Sequence, residues 1–386
     1  MADIPIVVVA YNRIESLKRI LGSLLQAEYP AQGAELIISI DRGDNADVLD
    51  YARAFSWPFG EKQVIYQEKN LGLKAHILKC GGLTQAHDGI ILLEDDLYVS
   101  PDFYRYALEC YDFVADKPEI AGVALYNHRL SQLTEKVFEP LEDGFDNWYF
   151  RYACSWGQMW TKAQWAAFSA WLAENGDYDF AASEKIPAHI KDWGRHSWLK
   201  YHIAFVIETN RLFLYPRVAR CTCFSDAGVK ESTFQVPLML GGRREKLRLS
   251  EPGESRAVYD AWMENLWLRS FLGRESLCVD LYGAKETFEG QQYLLTSSRV
   301  ENAELLECFG REMRPQEWNV LSLVPGDELR LYKLTENAKK IPAARRDRMA
   351  DAAYHIRGIS YPYKKTIFAM FIQESVAKLR KKMHLA

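Results

Sequence analysis

The chain has no run of about 18 apolar residues, so none of its 386 residues reads as part of a membrane-spanning helix. The apolar start from Ile4 to Ala10 follows Asp3 without a basic segment or a cleavage pattern, and it does not read as a secretory signal. Cysteine is sparse and odd in number: Cys80, Cys110, Cys154, Cys221, Cys223, Cys278 and Cys308 are scattered, which excludes a disulfide framework and fits the reduced thiols of a cytoplasm. The C-x-C pair Cys221 and Cys223 has no second pair to complete a zinc site and is expected as buried strand thiols. A net charge of −4 supplies no global basic field, and no nucleic-acid module signature is present, which sets DNA and RNA aside. What remains is a globular composition, 48% hydrophobic and 26% charged, long enough for two or three domains at roughly 100 to 200 residues each.

The first 126 residues alternate two periodicities. Ile4 to Ala10 is a continuous β-branched run, as in a strand covered on both faces, and Ile14, Leu17, Ile20, Leu21, Leu24 and Leu25 follow at helical spacing. The pair repeats three times: Glu35 to Asp41 with Ala46 to Phe55, Gln63 to Gln67 with Leu73 to Ala86, and Gly89 to Leu93 with Asp102 to Ala115. Gly122 to Tyr126 reads as one more strand. Such alternation predicts an α/β fold with a mostly parallel sheet, whose ligands sit beyond the carboxyl ends of its strands.

From Phe145 to Tyr201 there are 15 aromatic residues in 57, about twice the chain average, with seven of the eleven tryptophans. Each ring alone reads as core. As a group they tilt the reading toward carbohydrate, because ring faces stack on the apolar faces of sugars. Ser255 to Leu272 carries Val258, Trp262, Leu266 and Phe271 at helical spacing, and Leu277 to Tyr282, Gln291 to Ser297 and Asn319 to Leu334 read as short β runs. The last 48 residues hold 12 Lys or Arg against Asp347, Asp351 and Glu374, a balance of +9 that leaves −13 on everything before them. With Tyr361, Tyr363, the run Ile367 to Ile372 and a Lys378 to Lys382 cluster, this tail reads either as an anchor for anionic lipid or as a solvated basic helix packing on the acidic body.

The strongest chemical signal is Ile90-Ile-Leu-Leu-Glu94-Asp95-Asp96, an apolar strand that ends in three carboxylates at the ligand edge of the sheet. Alternation along an extended chain would put Glu94 and Asp96 on one face and Asp95 on the other. One or two carboxylates together with diphosphate oxygens suit Mg²⁺ or Mn²⁺. The competing reading, that Asp95 and Asp96 cap the next helix, is weaker because Ser100 before Pro101 is better placed to do so. Ala10-Tyr11-Asn12-Arg13 and Ser39-Ile40-Asp41-Arg42-Gly43 close the first two strands at the same edge; Asp41 could accept a uracil imide hydrogen and Arg13 could neutralise phosphate.

This order of Arg13, Asp41 and Glu94-Asp95-Asp96 resembles a GT-A glycosyltransferase. Tyr11-Asn12-Arg13 and Glu68-Lys-Asn70-Leu-Gly72-Leu-Lys74 are similar to bacterial family 2 enzymes. The consecutive Glu-Asp-Asp, with Ser155-Trp156-Gly157 to Trp165, Lys191-Asp192-Trp193 and Arg217 to Val229, more closely resembles the N-acetylglucosaminyltransferase I type, family 13. The likeness covers about residues 4 to 235 and departs at Ser39-Ile-Asp41, at Lys191 and through the C-terminal 150 residues. It implies a nucleotide-sugar-binding half at 1–126 and an acceptor-binding half at 127–272; beyond it, the short β runs read as a β-rich module at 273–338 and the charge balance as a basic amphipathic tail at 339–386.

By the same resemblance Asp96 is the metal ligand for Mn²⁺ or Mg²⁺. Asp95 contacts ribose and Glu94 the donor sugar. Ala10, Tyr11, Arg13, Asp41 and Lys74 hold the nucleotide, Trp156 and Gly157 face donor or acceptor sugar, and Asp192 is the general base. Chemically, an inverting transfer needs one carboxylate to take the acceptor proton while a Lewis acid stabilises the leaving diphosphate. Asp192 has a structural alternative as the N-cap of a helix starting at Trp193, and Glu208, Asp226 and Glu231 are other candidate bases. His189, His196 and His202 lack zinc-pair spacing and read as structural or acceptor-lining.

The function expected is metal-dependent, inverting transfer from a nucleotide-diphosphate sugar, UDP-linked ahead of other bases and with UDP-GlcNAc among the candidates. The acceptor would be a glycan or lipid-linked glycan of bacterial surface polysaccharide synthesis, such as capsule or lipopolysaccharide, at the inner face of the plasma membrane. Two other classes stand beside it: a catalytically silent glycan-binding or assembly protein, and a sugar nucleotidylyltransferase. The latter would want a Gly-rich phosphate loop where Tyr11-Asn-Arg-Ile stands.

Overall fold

The computed structural model describes residues 2–224, 246–356 and 363–383. They fall into two compact units, Met1–Leu133 with Phe138–Gly273, and Thr134–Val137 with Arg274–Ala386.

In the first unit the predicted alternation is present: β1 (Ile6–Ala10), α1 (Ile14–Leu25), β2 (Leu36–Ile40), α2 (Ala46–Ala54), β3 (Lys62–Tyr66), α3 (Gly72–Gly81) and β4 (Gly89–Glu94). Every residue of β1 and β2 is buried, which is why their sequence is continuously apolar rather than alternating. The apolar stripe of α1, from Leu17 to Leu24, is buried against them. β3, β2, β1 and β4 lie side by side and parallel, with Val8 level with Ile38 and with Leu93. All four therefore deliver their carboxyl ends to one edge.

After the acids the chain makes the short β5 (Leu97–Val99), α4 (Phe103–Val114) and β6 (Ile120–Ala124). β7 (Asn147–Phe150), β8 (Gln158–Thr161), α5 (Lys162–Glu174), α6 (Ala188–Lys191), α7 (Trp198–Glu208), β9 (Leu212–Pro216) and β10 (Cys221–Cys223) follow. The main sheet runs β11-β7-β9-β6-β8-β4-β1-β2-β3, where β11 is Val258–Tyr259, and five of its eight neighbouring pairs are parallel. This is the mixed α/β architecture expected. β10 pairs antiparallel with β5, and both its thiols are buried, as expected of strand cysteines.

One expectation fails here. Ser255 to Leu272 is not a helix: β11 pairs with β7, Asp260 Oδ1 accepts the amides of Trp262 and Glu264, and Met263 turns the chain at φ +60°, leaving only the short α8 (Leu268–Phe271). Of the residues that made the i, i+4 apolar spacing, Val258 on the strand and Trp262 and Leu266 beyond it are half-buried, and Phe271 is exposed, so no single helical face stands behind it. The aromatic segment is mostly core. Nine of its fifteen rings, among them Trp148, Trp160 and Phe168, are buried, and only Phe145, Trp156, Trp171, Tyr178, Phe180 and Trp193 are half-exposed.

The second unit holds β12 (Leu277–Asp280), β13 (Tyr293–Thr296), β14 (Val300–Phe309), α9 (Glu317–Leu321) and β15 (Leu329–Lys340), with sheet order β12-β13-β15-β14. The run from Asn319 thus begins in a helix and becomes a strand only at Leu329. Two helices follow, α10 (Arg345–Ile356) and α11 (Lys364–Met383). No helix among the described residues is long and apolar enough to cross a membrane.

Candidate active site

β4 ends on Glu94, Asp95 and Asp96 form a turn, and β5 starts at Leu97. The turn changes the expected facing. Asp95 is buried and Glu94 and Asp96 are half-exposed, yet the Arg13 guanidinium reaches both aspartates, Nη2 to Asp95 Oδ1 and Nη1 to Asp96 Oδ2 at 3.1 Å. Arg13, expected to neutralise phosphate, is committed here to the acids. Burial works against its charge, but the two carboxylates prevail and raise its pKa.

The acids remain under electrostatic strain. Burial, with Asp96 and Asp95 as like-charged neighbours, pushes Glu94 up to about 8, and burial pushes Asp95 up to about 6 despite Arg13. Asp96 Oδ1 has no partner among the described residues, so it is open to a cation. Among these residues the one group of three His, Cys, Asp or Glu with convergent ligand atoms is Asp3, Glu35 and His87. That group precedes β1, β2 and β4 and so lies at the opposite sheet edge. The acid turn therefore fits a hard cation only in the mode where one or two carboxylates share it with substrate oxygens.

β10 braces the turn from behind. Phe224 N donates to Asp96 O at 2.9 Å, Ser100 N donates to Arg220 O at 2.8 Å, and the buried Arg220 guanidinium holds Asp102 at 2.8 Å. Asp102, rather than Ser100, occupies the N-cap position of α4, and Ser100 Oγ donates to its carboxylate.

The neighbouring strand ends are stitched together. Asp41 N donates to Ala10 O at 3.0 Å, and the Asp41 carboxylate accepts the amides of Arg42, Leu71 and Gly72, each at 2.9 Å. Asp41, expected to bind the base, thus caps the start of α3, with lone-pair capacity left on Oδ2. Tyr11 lies against Gly43, where an added Cβ would come within 2.6 Å of its ring. Asn45 and Tyr66, which the sequence reading passed over, complete the stitching: Asn45 Nδ2 donates to Tyr11 O and Asp41 O, and Tyr66 OH donates to Asn45 Oδ1 at 3.0 Å.

Lys74, on the first turn of α3, faces the segment that carries Asp192. Its ammonium lies 3.4 Å from the Tyr201 ring centre and 3.5 Å from Arg195 O. Asp192 is exposed and stands at the C-terminal end of α6. It does not cap the next helix, which begins at Trp198 with Ser197 as its N-cap. Buried Lys200 holds this segment by donating to Lys191 O at 2.7 Å and Trp193 O at 2.6 Å. Among the described residues no hydrogen bond or ion pair joins Asp192 to the acids. Glu208 is engaged by Tyr178 OH, Ser183 Oγ and Lys185. Asp226 and Glu231 lie outside the described residues. His202 is buried among Trp160, Phe168 and Phe205, in a structural setting.

Trp156 packs edge-on to Tyr126 at 4.7 Å and lies 5.9 Å from His128. Gly157 has φ +78°, and a Cβ there would lie 3.1 Å from Cys221 Sγ, so its first duty is to let this loop pack on β10. His128 is buried with both ring nitrogens unpartnered, and burial lowers its pKa to about 3. Tyr126-Asn127-His128 at the end of β6 repeats the Tyr-Asn-basic pattern of Tyr11-Asn12-Arg13 after β1. That repeat was the available signal for it.

No family model and no curated protein matches the chain. Among solved structures it is similar to TarS 1-349 of S. aureus in complex with UDP-GlcNAc, at 14% identity and TM-score 0.36, over 60% of this chain and 62% of that one. The mannosyltransferase PcManGT from Pyrobaculum calidifontis, in complex with GDP-Man and Mn²⁺, is similar at 12% identity and TM-score 0.34, over 57% and 58%. GalNAc-T7 with UDP, GalNAc and Mn²⁺ gives 10% identity and TM-score 0.37, over 56% and 43%. The chain spans less than two thirds of the length of each of them.

Proposed function

We propose that the first unit is a metal-dependent, inverting glycosyltransferase that takes a sugar from a nucleotide-diphosphate donor, UDP-linked and with UDP-GlcNAc the first candidate, to a glycan hydroxyl. The observation that carries this reading is the acid turn after β4. It places three carboxylates, two of them with raised pKa values, at the ligand edge of a parallel sheet beside the β1 and β2 loops.

Asp96, through its open oxygen, would hold Mn²⁺ or Mg²⁺. The ion, when bound, supplies Lewis-acid stabilisation of the departing diphosphate. Asp95 and Glu94 then meet ribose and donor sugar. Ala10, Tyr11, Arg13, Asp41 and Lys74 line the nucleotide side, with Arg13 turning from the acids to phosphate, and Trp156 and Gly157 border the sugar. Asp192 takes the acceptor hydroxyl proton as that oxygen attacks the anomeric carbon and the bond to the diphosphate breaks. The resemblance to the N-acetylglucosaminyltransferase I type suggests the donor, and the basic tail suggests a lipid-linked or membrane-proximal acceptor, as in bacterial surface polysaccharide synthesis at the inner face of the membrane.

The test is donor binding and hydrolysis across UDP-, GDP-, CMP- and dTDP-sugars with Mn²⁺, Mg²⁺ or chelator. One donor should bind only with metal. Binding should be lost in Asp96→Ala and kept in Asp192→Ala, with turnover in the latter down about 10²- to 10⁴-fold. No donor bound under any condition would overturn the reading in favour of a silent glycan-binding protein.

A further inference from the structure

The second unit contains a cavity of about 380 Å³, a volume within the range of small-ligand sites. Six of its lining residues are Lys or Arg and four are Asp or Glu. Part of the lining comes from α10, where Arg346, Asp347, Ala350 and Asp351 recur at helical spacing, with Ala343 just before it. The lining also includes the turn from β13 into β14, with Ser297, Ser298 and Arg299, and Arg330 near the start of β15.

The acids do not balance the cations. The single Asp351 carboxylate serves both Lys136 at 2.9 Å and Arg311 at 2.7 Å. Arg299 Nε pairs with Asp347 at 3.2 Å, and Asp327 stands 3.8 Å from both Arg299 and Arg330, beyond hydrogen-bond reach. Arg346 has no partner among the described residues. Arg311, with its side chain only 5% exposed, has a buried Nε without any partner, a donor left unused where water does not reach it. Buried groups of this kind are normally paired, and an incoming acceptor would pair this one.

We propose that this cavity binds a saccharide unit bearing one anionic group, a carboxylate or a phosphate. The guanidinium forks of Arg311 and Arg330 suit a planar or tetrahedral anion. Ser297, Ser298 and the Glu328 carboxylate offer partners to sugar hydroxyls, and the volume exceeds what one inorganic anion fills. The site is independent of the reading of the acid turn and would let the second unit hold an acidic glycan whatever chemistry the first performs.

The test is calorimetric titration of the full chain with glucuronate, glucose 6-phosphate, glucose and inorganic phosphate, at low and high salt. At least one of the two acidic sugars should bind, at least tenfold more tightly than glucose or phosphate, and should weaken as salt rises. Which of the two binds identifies the anion. Arg311→Gln should lower that affinity at least tenfold. Arg299→Ala, at a half-exposed position whose loss leaves the buried pairs intact, should lower it severalfold with an unchanged melting temperature. Asp96→Ala should leave it unchanged, which separates this site from the acid turn. Absence of binding by both acidic sugars, equal binding of glucose or phosphate, or affinity lost in Asp96→Ala and kept in Arg299→Ala would each overturn the proposal.

Discussion

Arg13 bonds both Asp95 and Asp96 and offsets their repulsion, an effect that a cation held at Asp96 in the proposed site would share. Removing it leaves two acids facing each other. Breaking a fully buried pair costs about 3–5 kcal/mol, and the part exposure of Arg13 and Asp96 reduces that to about 1–2 kcal/mol. Arg13→Gln should therefore lower the melting temperature in chelator and recover most of the loss with Mn²⁺. An equal loss with and without metal would show that the acids do not hold a cation. Glu94 supplies a second prediction at this scale. Its folded pKa of about 8 lies above its ordinary 4.5, so between these values the folded state keeps a proton that the unfolded state has lost. Stability contributed by this group is present at low pH and is lost as pH rises toward 8. In chelator, Glu94→Gln should remove much of the decline in melting temperature between pH 5 and 8. A decline as steep as that of the native protein would place its origin elsewhere. Neither effect was legible in the sequence: the Arg13 pairing depends on a turn that brings positions 82 and 83 residues apart into contact, and the Glu94 shift comes first from burial, which only the fold sets.

At the scale of elements, β1, β2 and β4 were readable because each is buried on both faces and α1 on one, so the burial pattern is written directly into the residue order; β3, at the sheet edge, is only partly buried. The β5–β10 ribbon was not readable as a pair: three-residue strands show no period, and their partners are more than 120 residues apart. β14 was missed for a related reason. Its acidic residues and exposed interior positions give it little apolar alternation, and what fixes it is the ladder to β15. Gly157 shows how a motif residue can carry two readings, a sugar contact or a packing requirement of the ribbon. Gly157→Ala should cost about 1–3 kcal/mol through its positive φ and the contact with Cys221. In the Cys221→Ala background the added methyl gains room, so the penalty measured by urea unfolding should shrink. A penalty unchanged by that second substitution would assign the cost to backbone strain and to the remaining contacts with the Cβ atoms of residue 221 and Leu125.

For the whole molecule the strongest pattern is the partition of charge, −13 before Lys339 and +9 after it. A basic helix packing on an acidic body would bury its apolar residues. In α11, Ile367, Phe368, Phe371 and Ile372 instead form an i, i+4 stripe and are each between 44% and 67% exposed. Lys364, Lys365, Lys378, Arg380, Lys381 and Lys382 flank it in sequence. An exposed apolar stripe between basic clusters matches an interfacial helix, and each basic residue near an anionic surface contributes about 1 kcal/mol at low salt. The full chain should therefore sediment with phosphatidylglycerol vesicles and not with phosphatidylcholine vesicles, and high salt should release it. Phe368→Glu with Phe371→Glu should abolish sedimentation while donor binding stays as it was, because those positions are not among the residues proposed to hold nucleotide or sugar. Sedimentation that survives both this pair and deletion of 363–386 would remove the tail from the account and leave the acidic remainder, unaided, to explain attraction to an anionic surface, which its charge opposes.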